Sequence, residues 1–186
     1  LGEASLEWKL DGARVQVHKD EDQVAVFSRR LNEVTPAVPE LVQVARLLPP
    51  HRLVLDGELI ALQADGRPHP FQVTMRRFGR KLEVERARAS LPLTPFFFDV
   101  LHGDGIDLLD RPARQRAEIL AQLAPGTLVP RIVTADPAQA SAFLGEALAR
   151  GHEGVMAKAL DAAYEAVRRG SGGLKVKRAQ TLDLVV

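Results

Sequence analysis

The chain has 186 residues, 46% of them hydrophobic and 26% charged, which fits one compact domain with a core and excludes a disordered chain. It contains no cysteine, so a disulfide framework and a thiolate metal site are excluded, and the composition fits a reducing compartment. The formal net charge of +1 creates no global field that demands a nucleic-acid partner, and no apolar run is long enough to cross a bilayer.

The first half of the chain is predicted to contain strands and two helices. Apolar alternation and β-branched residues predict strands over residues 5–10, 13–19, 24–28 and 53–62. The charged turn Asp20-Glu21-Asp22 joins the second and third of these strands into a hairpin. Pro39 begins a predicted helix over residues 39–48, and a shorter helix is predicted over 71–77. We expect Asp56-Gly57-Glu58 to interrupt the strand over 53–62.

The second half continues this mixed order without an internal repeat. Strands are predicted over residues 95–101, 128–133, 154–160 and 174–178, and the tail over 182–186 is expected to add another. Helices are predicted over 112–123 and from Asp136-Pro137 to Gly151. On the strand over 95–101, Phe96 and Phe98 point to one face and Phe97 to the other. The order predicts the α+β class, with packed, mainly antiparallel sheets flanked by helices.

Three lysine-bearing segments indicate a shared chemistry. The segments are Glu7-Trp8-Lys9-Leu10-Asp11-Gly12-Ala13-Arg14, Glu153-Gly154-Val155-Met156-Ala157-Lys158 and Leu174-Lys175-Val176-Lys177. A lysine amine with its ordinary pKa near ~10.4 is protonated and non-nucleophilic at neutral pH, but burial and neighbouring cations favour the neutral amine. If the fold brings their segments together, Arg14, Lys158 and Lys175 would supply these cations, and they would also neutralise phosphate oxygens. Taken alone, Lys9 is most simply a solvated lysine at a strand end. The three segments together favour a nucleophile that captures a nucleotide phosphate.

Two carboxylates are candidate metal ligands. Glu58 and Glu153 each stand next to a glycine at a predicted strand edge, and carboxylate oxygens suit a hard cation such as Mg²⁺. The simpler interpretation is that both are acidic turn residues. That interpretation fits Glu58 poorly, because carboxylates are rarely placed within an apolar strand without partners.

Other candidates carry weaker signals. Phe98 could stack on a purine base, although a phenylalanine in such a run usually belongs to the core. The basic, glycine-rich loop over residues 168–172 offers backbone N–H groups and cations to phosphate, as many loops do. The five histidines show no metal-ligand spacing, and we interpret them as surface or loop residues.

These segments resemble the covalent nucleotidyltransferases, and most closely the adenylation domain of ATP-dependent DNA ligases of archaeal and bacterial type. The resemblance covers nearly the whole chain. It rests on six segments in the family's order, which are Lys9-Leu10-Asp11-Gly12-Ala13-Arg14, Phe27-Ser28-Arg29-Arg30-Leu31-Asn32-Glu33-Val34-Thr35, Leu55-Asp56-Gly57-Glu58, Phe97-Phe98-Asp99, Glu153-Gly154-Val155-Met156-Ala157-Lys158 and Leu174-Lys175-Val176-Lys177.

The resemblance implies an ATP-grasp-like nucleotidyltransferase fold and a reaction. Lys9 would attack the α-phosphate of ATP, expel pyrophosphate and hold AMP as a phosphoramidate. The AMP would pass to a 5′-phosphate at a nick in double-stranded DNA, and a 3′-hydroxyl would displace it to seal the strand. The implied contacts are Glu7 with the adenine edge, Phe98 with the base, Arg14 and Glu58 with the ribose, Arg29, Lys158, Arg169 and Lys175 with phosphates, and Glu58 with Glu153 at the Mg²⁺.

The resemblance also implies a domain organisation. Residues 1–178 would form the adenylation domain, and residues 179–186 would begin the linker or strand that leads to a C-terminal OB-fold domain. The chain begins without Met and stops soon after Lys177, so we expect a piece of a longer protein. Such a piece is expected to bind nucleotide but to seal nicks poorly or not at all.

Two positions depart from the family's pattern. Gly173 stands where the family usually has an aromatic residue, and Val167 stands where a glycine is common before the paired arginines. Both departures predict an altered loop around Arg168 and Arg169.

Alternative functions remain open on the sequence alone. RNA ligases and GTP-using capping enzymes share the lysine chemistry, but Ser28-Arg29-Arg30 and Phe97-Phe98-Asp99 favour a DNA ligase. NAD-dependent ligases resemble this chain less and carry cysteine zinc modules beyond this domain. A noncatalytic nucleic-acid-binding module of the same fold would not need carboxylates beside Lys9, and a net charge of +1 suits a DNA clamp poorly. We expect a monomer without a membrane partner, located in the cytoplasm with the nucleoid, that acts in replication, repair or recombination.

Overall fold

A computed structural model describes residues 2–165 and 173–177 of the chain. Within these ranges the strands are β1 (Ala4–Trp8), β2 (Ala13–Asp20), β3 (Gln23–Ser28), β4 (Arg52–Ala61), β5 (Leu93–Gly103), β6 (Ile106–Asp107), β7 (Arg131–Thr134), β8 (Gly154–Lys158) and β9 (Gly173–Lys177). The helices are α1 (Pro39–Leu47), α2 (Phe71–Phe78), α3 (Val84–Ser90), α4 (Ala113–Leu123) and α5 (Pro137–Ala149), with a short 3₁₀ turn at Thr35–Ala37.

The strands form two antiparallel sheets, each with one face in a hydrophobic core. The larger sheet has the order β3-β2-β4-β5-β6, and the smaller sheet has the order β7-β1-β8-β9. One face of the larger sheet packs against α1 and α2 and buries Val15, Val17 and Leu55. One face of the smaller sheet packs against α5, where Leu6 and Trp8 belong to the same buried cluster as α5 side chains. The predicted α+β class with antiparallel sheets is therefore confirmed.

The other two faces meet in a cleft. Lys158 of the smaller sheet places its Nζ 4.9 Å from the ring centroid of Phe98 in the larger sheet. Arg131, on β7, donates a hydrogen bond of 3.1 Å to the carbonyl oxygen of Phe98. Because neighbouring residues of a strand face opposite sides, Glu7, Arg14 and Asp56, which alternate with core residues, point into this cleft.

Most predicted elements are confirmed with small changes at their ends. The first strand ends at Trp8, so Lys9 lies directly after it rather than within it. Asp136 begins α5 by accepting a hydrogen bond of 2.8 Å from the Ala138 N–H, and Gly151 follows the helix with a φ of 86°. The predicted strand over 182–186 and the loop over 168–172 lie outside the described residues.

The predicted interruption at Asp56-Gly57-Glu58 is wrong, because β4 runs through it. The strand accommodates the segment with a shift of register against β5 between Asp56 and Gly57. A Cβ atom at Gly57 would lie 2.8 Å from the Phe97 ring and 3.0 Å from the Phe96 carbonyl oxygen, so glycine allows the two strands to pack closely. On either side of Gly57, Asp56 accepts a hydrogen bond from Arg14 and Glu58 accepts one from the Gly12 backbone, both in the cleft.

Three short elements were not predicted. The 3₁₀ turn and β6 contain three and two residues, too few for a periodic pattern. Helix α3 begins after Glu83, which has a φ of 51°. The helix buries no residue, so it lacks the apolar stripe that predicts a helix. Among the described residues, no helix is long and apolar enough to cross a membrane.

A buried ion pair fastens α2 to α1 on the core side of the larger sheet. Arg77 donates to both carboxylate oxygens of Glu40, at 2.8 and 3.0 Å, and to the Ala37 carbonyl oxygen at 3.0 Å. Glu40 also accepts a 3.0 Å bond from the Leu93 N–H at the start of β5. The side chains of Arg77 and Glu40 are only 2% and 10% exposed, so removal of either one leaves the other as an unpaired buried charge.

We therefore predict that Arg77→Ala lowers the free energy of unfolding by about 3–5 kcal/mol, the usual cost of breaking a buried pair from one side. Urea denaturation followed by circular dichroism measures it. Arg52→Ala is the matched control, because the Arg52–Asp20 pair is 64% and 70% exposed and its loss should cost less than about 1 kcal/mol. Equal losses in the two variants would contradict this account.

Candidate active site between the two sheets

Lys9 lies at the open end of the cleft, directly after β1. Its backbone N–H donates a 2.8 Å hydrogen bond to the Gly154 carbonyl oxygen, which ties the residue to β8. Its side chain is 16% exposed and forms an ion pair with Glu153. The same Glu153 oxygen lies 2.9 Å from the Nζ of Lys177. Each of the three lysine-bearing segments thus contributes to one cluster.

The register of the smaller sheet explains this convergence. Glu7 pairs with Met156, and Gly154 pairs with Lys177 across the β8–β9 ladder. Gly154 has a φ of 141°, and a Cβ atom there would lie 2.2 Å from the Val176 carbonyl oxygen. Only glycine allows β8 and β9 to approach so closely beside Lys9.

The lysines determine the charge state of Glu153. Burial alone would raise the pKa of Glu153, but hydrogen bonds from Lys9 and Lys177 outweigh that effect and hold the pKa below its ordinary value. The same contact raises the pKa of Lys177. Burial, followed by the negative charge of Glu153, raises the pKa of nearby Asp11. The cluster is therefore a compact set of opposite charges at the open side of the cleft.

Glu58 enters the cleft from the larger sheet. It pairs with Arg14 across the β2–β4 ladder and accepts a hydrogen bond from the Gly12 backbone. Burial raises the pKa of Glu58 to about 7, against the opposing effects of the Gly12 hydrogen bond, Arg14 and Lys9. At neutral pH this carboxyl is poised between its two protonation states.

Gly12 fixes the path of the chain between Lys9 and Arg14. A Cβ atom at position 12 would lie 2.2 Å from the Leu59 carbonyl oxygen and 2.5 Å from the Ile60 side chain. The loop can therefore rest on β4 only without a side chain at this position.

Arg14 is held by an acidic residue buried beside Glu58. Asp56 is 1% exposed and accepts a 2.6 Å bond from the Nη2 of Arg14. It also accepts bonds of 2.6 Å from the Tyr164 hydroxyl and 3.0 Å from the Gln16 amide. Together these bonds hold the Arg14 guanidinium 5.6 Å from the centroid of the Phe98 ring.

Glu7 and Phe98 lie at the inner end of the cleft. Glu7 pairs with Arg131 and Lys158, at 2.5 Å each, and its own side chain is only 4% exposed. Phe98 lies against Arg14 and Lys158 in the cleft, while Phe97 is fully buried in the main core. Phe96 and Phe98 also pack against the core of the smaller sheet. Beside them lies a cavity of about 300 Å³ that reaches the apolar side of α4. The size and lining of this cavity suit a planar aromatic group.

The structure does not bring all the predicted cations to Lys9. Lys158 pairs with Glu7 over the Phe98 ring, at the inner end of the cleft. Lys175 is exposed on β9 opposite Met156, and Arg29 is exposed in the turn after β3. Arg169 and Val167 lie outside the described residues.

Within residues 2–165 and 173–177, no group of three Asp, Glu or His side chains is arranged as a metal site. Glu58 and Glu153 approach Lys9 from different sheets. After burial, the charge of Glu153 raises the pKa of Asp11, and the charge of Asp11 adds to the effect of burial on the pKa of Glu58. Such a carboxylate set fits a cation that takes most of its ligands from phosphate and water, as Mg²⁺ does.

Several site residues were missed by the sequence reasoning. Asp56 was noticed only as a neighbour of Glu58, and Tyr164, Arg131 and Gln16 follow no motif. The interpretation of His152 as a surface or loop residue is corrected in part, because it is 8% exposed and its ring centroid lies 4.8 Å from that of Trp8. Burial of a carboxylate in an apolar strand was the one signal that pointed to the Asp56 network.

Comparison with known families identifies a close match over most of the chain. The sequence model described as "ATP dependent DNA ligase domain" matches residues 2–177. The probable DNA ligase of Anaeromyxobacter dehalogenans (strain 2CP-C) is 66% identical over 186 residues, covering 100% of this chain and 36% of the relative. The probable DNA ligase of Sorangium cellulosum (strain So ce56) is 60% identical, covering 98% of this chain and 34% of the relative. The chain thus spans about a third of the length of the curated relatives it matches.

Solved structures show the same fold. The ligase domain of M. tuberculosis LigD has a TM-score of 0.74 and 29% identity, over 94% of this chain and 55% of that chain. A mycobacterial DNA ligase D complexed with ATP and MES has a TM-score of 0.71 and 27% identity, over 94% of this chain and 54% of that chain.

The raised pKa of Glu58 predicts a pH-dependent stability. A carboxyl with a pKa of about 7 when folded and near 4.5 when unfolded stabilises the fold below pH 4.5, and that contribution is lost as the pH rises through 7. Glu58→Gln removes this titration. The variant should gain stability relative to the unmodified chain between pH 5 and 8, by at most about 3 kcal/mol.

Urea denaturation at a series of pH values measures this difference. Glu85→Gln is the control, because Glu85 is exposed on α3 and its replacement should produce no such gain. A pH-independent difference between Glu58→Gln and the unmodified chain would contradict the raised pKa.

Proposed function

The chain belongs to the family of ATP-dependent DNA ligase domains, and on that premise we propose that it is an adenylation domain with Lys9 as its nucleophile. The observation that supports this most strongly is the meeting of Lys9, Glu153 and Lys177, from three distant segments, at one end of a cleft. In this cleft a nucleotide base can reach Phe98 while its phosphates lie near Lys9.

The proposed reaction forms one bond and breaks another. The lone pair of the Lys9 Nζ attacks the α-phosphorus of ATP, and an N–P bond forms. The bond from that phosphorus to the bridging oxygen breaks, and pyrophosphate leaves with the electron pair. Charge neutralisation and alignment of these atoms supply most of the catalysis in such transfers.

The ion pair with Glu153 positions the Lys9 Nζ for the proposed attack. The attacking form is the neutral amine, so one proton leaves Nζ before the attack and a second leaves the nitrogen after the N–P bond has formed, both to water. We infer that Glu153, supported by Glu58, holds the Mg²⁺ that accompanies ATP and supplies charge neutralisation at the phosphates.

The remaining contacts follow the two ends of the cleft. Phe98 is half-buried at the inner end and offers its ring to the base, while Glu7 accepts from the adenine edge. Arg14 and Glu58 meet the ribose between base and phosphate. The proposed phosphate ligands are Arg29, Lys158, Arg169 and Lys175. For this role Lys158 must exchange its bond with Glu7 for a phosphate oxygen.

Nick sealing is proposed for the longer protein. The AMP would pass from Lys9 to a 5′-phosphate in nicked DNA, and a 3′-hydroxyl would then displace it. The proposed architecture places residues 1–178 in the adenylation domain and residues 179–186 at the start of the connection to a C-terminal OB-fold domain. The greater length of the relatives supports an additional domain. We propose a monomer in the cytoplasm, where the DNA substrate lies.

The proposal predicts that MgATP adds one AMP to the chain, visible by intact mass, and that pyrophosphate removes it. Lys9→Ala and Lys9→Arg should both give no adduct. Arginine is the sharper control, because it keeps a cation beside Glu153 but remains protonated and cannot attack. GTP and NAD, tested in parallel, should give no adduct.

An adduct on Lys9→Arg, or labelling by GTP in preference to ATP, would contradict the proposal. ATP binding without any adduct would assign the missing catalytic part to the remainder of the longer protein. Salt-sensitive DNA binding without nucleotide binding would favour the noncatalytic module.

A further inference from the structure

Asp56 is the centre of a hydrogen-bond network that the proposed reaction does not use directly. Its carboxylate is buried on the cleft face of β4 and accepts from Arg14, Tyr164 and Gln16. The bonds from Arg14 and Tyr164 share one oxygen, Oδ2, at 2.6 Å each. The Arg14 Nη2 also lies 3.4 Å from the Tyr164 oxygen. The orientation of the guanidinium therefore depends on where the phenol holds this carboxylate.

Tyr164 is itself fixed by contacts outside the network. Its backbone N–H donates a 2.8 Å bond to the Leu109 carbonyl oxygen. The Arg116 guanidinium lies 6.0 Å from the centroid of its ring, and Arg116 is locked by a two-bond pair with Asp99 at 2.8 and 3.1 Å. Burial and the bond to Asp56 raise the pKa of the Tyr164 phenol, so it remains a donor throughout the neutral range.

The contacts of Arg14 leave part of its guanidinium facing the cleft. Within the described residues, its hydrogen bonds to Asp56 and Tyr164 all use Nη2. The side chain is 39% exposed, and Nε and Nη1 carry the N–H donors that these bonds do not use. The N–H donors of a guanidinium can distinguish a ribose hydroxyl from a hydrogen atom only if the orientation of the guanidinium is fixed.

We propose that Tyr164 is a positioning residue that, through Asp56, aims Arg14 at the ribose hydroxyls of the bound nucleotide. This inference rests on the proposed function, because it takes the cleft to be the ATP site. Without the phenol, Asp56 Oδ2 keeps only Arg14 as a partner, and the carboxylate is held by the single Gln16 bond to Oδ1, so the direction of Arg14 is less closely fixed. The nucleotide then retains its base and phosphate contacts but loses the directed contact to its sugar.

The test compares affinities for ATP, 2′-deoxy-ATP and 3′-deoxy-ATP by calorimetry without Mg²⁺, so that no adduct forms. In the unmodified chain, loss of the contacted hydroxyl should weaken binding about tenfold, as expected for one hydrogen bond to a charged donor. In Tyr164→Phe, which keeps the ring beneath Arg116, the ratio of the affinity for ATP to that for the deoxy-nucleotide should fall to about twofold or less. The affinity for the deoxy-nucleotide itself should change less than about twofold.

Thr74→Val is the matched control. It removes a buried hydroxyl that accepts a 3.1 Å bond from the Ala61 N–H on the core side of the larger sheet. It should lower stability but leave the ATP to deoxy-ATP ratio unchanged. A ratio in Tyr164→Phe equal to that of the unmodified chain would overturn the inference while leaving Lys9 adenylation intact. Failure of the unmodified chain to bind ATP without Mg²⁺, together with no AMP adduct from MgATP, would instead overturn the proposed function and this inference with it.

Discussion

The whole site depends on the two-residue period of its strands. On β1, Leu6 and Trp8 enter the core against α5, so Glu7 must face the cleft and Lys9 follows on the same side. On β2 and β4, the same alternation buries Val15 and Leu55 and turns Arg14 and Asp56 inward to the cleft. A register slip of one residue in any of these strands would move a charge into a core and remove it from the site.

Charge pairing is the second condition, since most of these groups are withdrawn from water. Glu7, with two cationic partners, and Asp56, with three donors, are almost completely buried. Around Lys9, burial is the largest cause of the raised pKa values of Asp11 and Glu58. A cation beside these carboxyls would favour their charged forms. The part of the site where carboxyls are most readily protonated is therefore the part that faces the proposed metal and phosphates.

The sequence predicted the parts of this site that follow from local periodicity and short motifs. It placed Lys9 at the end of a strand, put Phe96 and Phe98 on one face, and grouped the segments of Glu153 and Lys177 with Lys9. It could not predict that Lys158 pairs with Glu7, because that depends on β1 and β8 being neighbours in the smaller sheet and on the side-chain rotamer of Lys158. The role of Tyr164 could not be predicted for another reason. Its partner Asp56 is 108 positions away, and the segment around Tyr164 has neither the two-residue period of a strand nor the 3.6-residue period of a helix. The exposed helix α3 lacks the apolar stripe on which sequence prediction relies.

We propose that Lys9, rather than another lysine of the cleft, carries the nucleotide. Lys177 shares the same Glu153 oxygen and is the nearest competitor. To distinguish them, the chain is incubated with MgATP and digested at neutral pH to preserve the acid-labile P–N bond, and AMP is located by tandem mass spectrometry. We expect AMP on Lys9, with Lys158, Lys175 and Lys177 unmodified. AMP on any of those three lysines, with Lys9 free, would contradict this proposal.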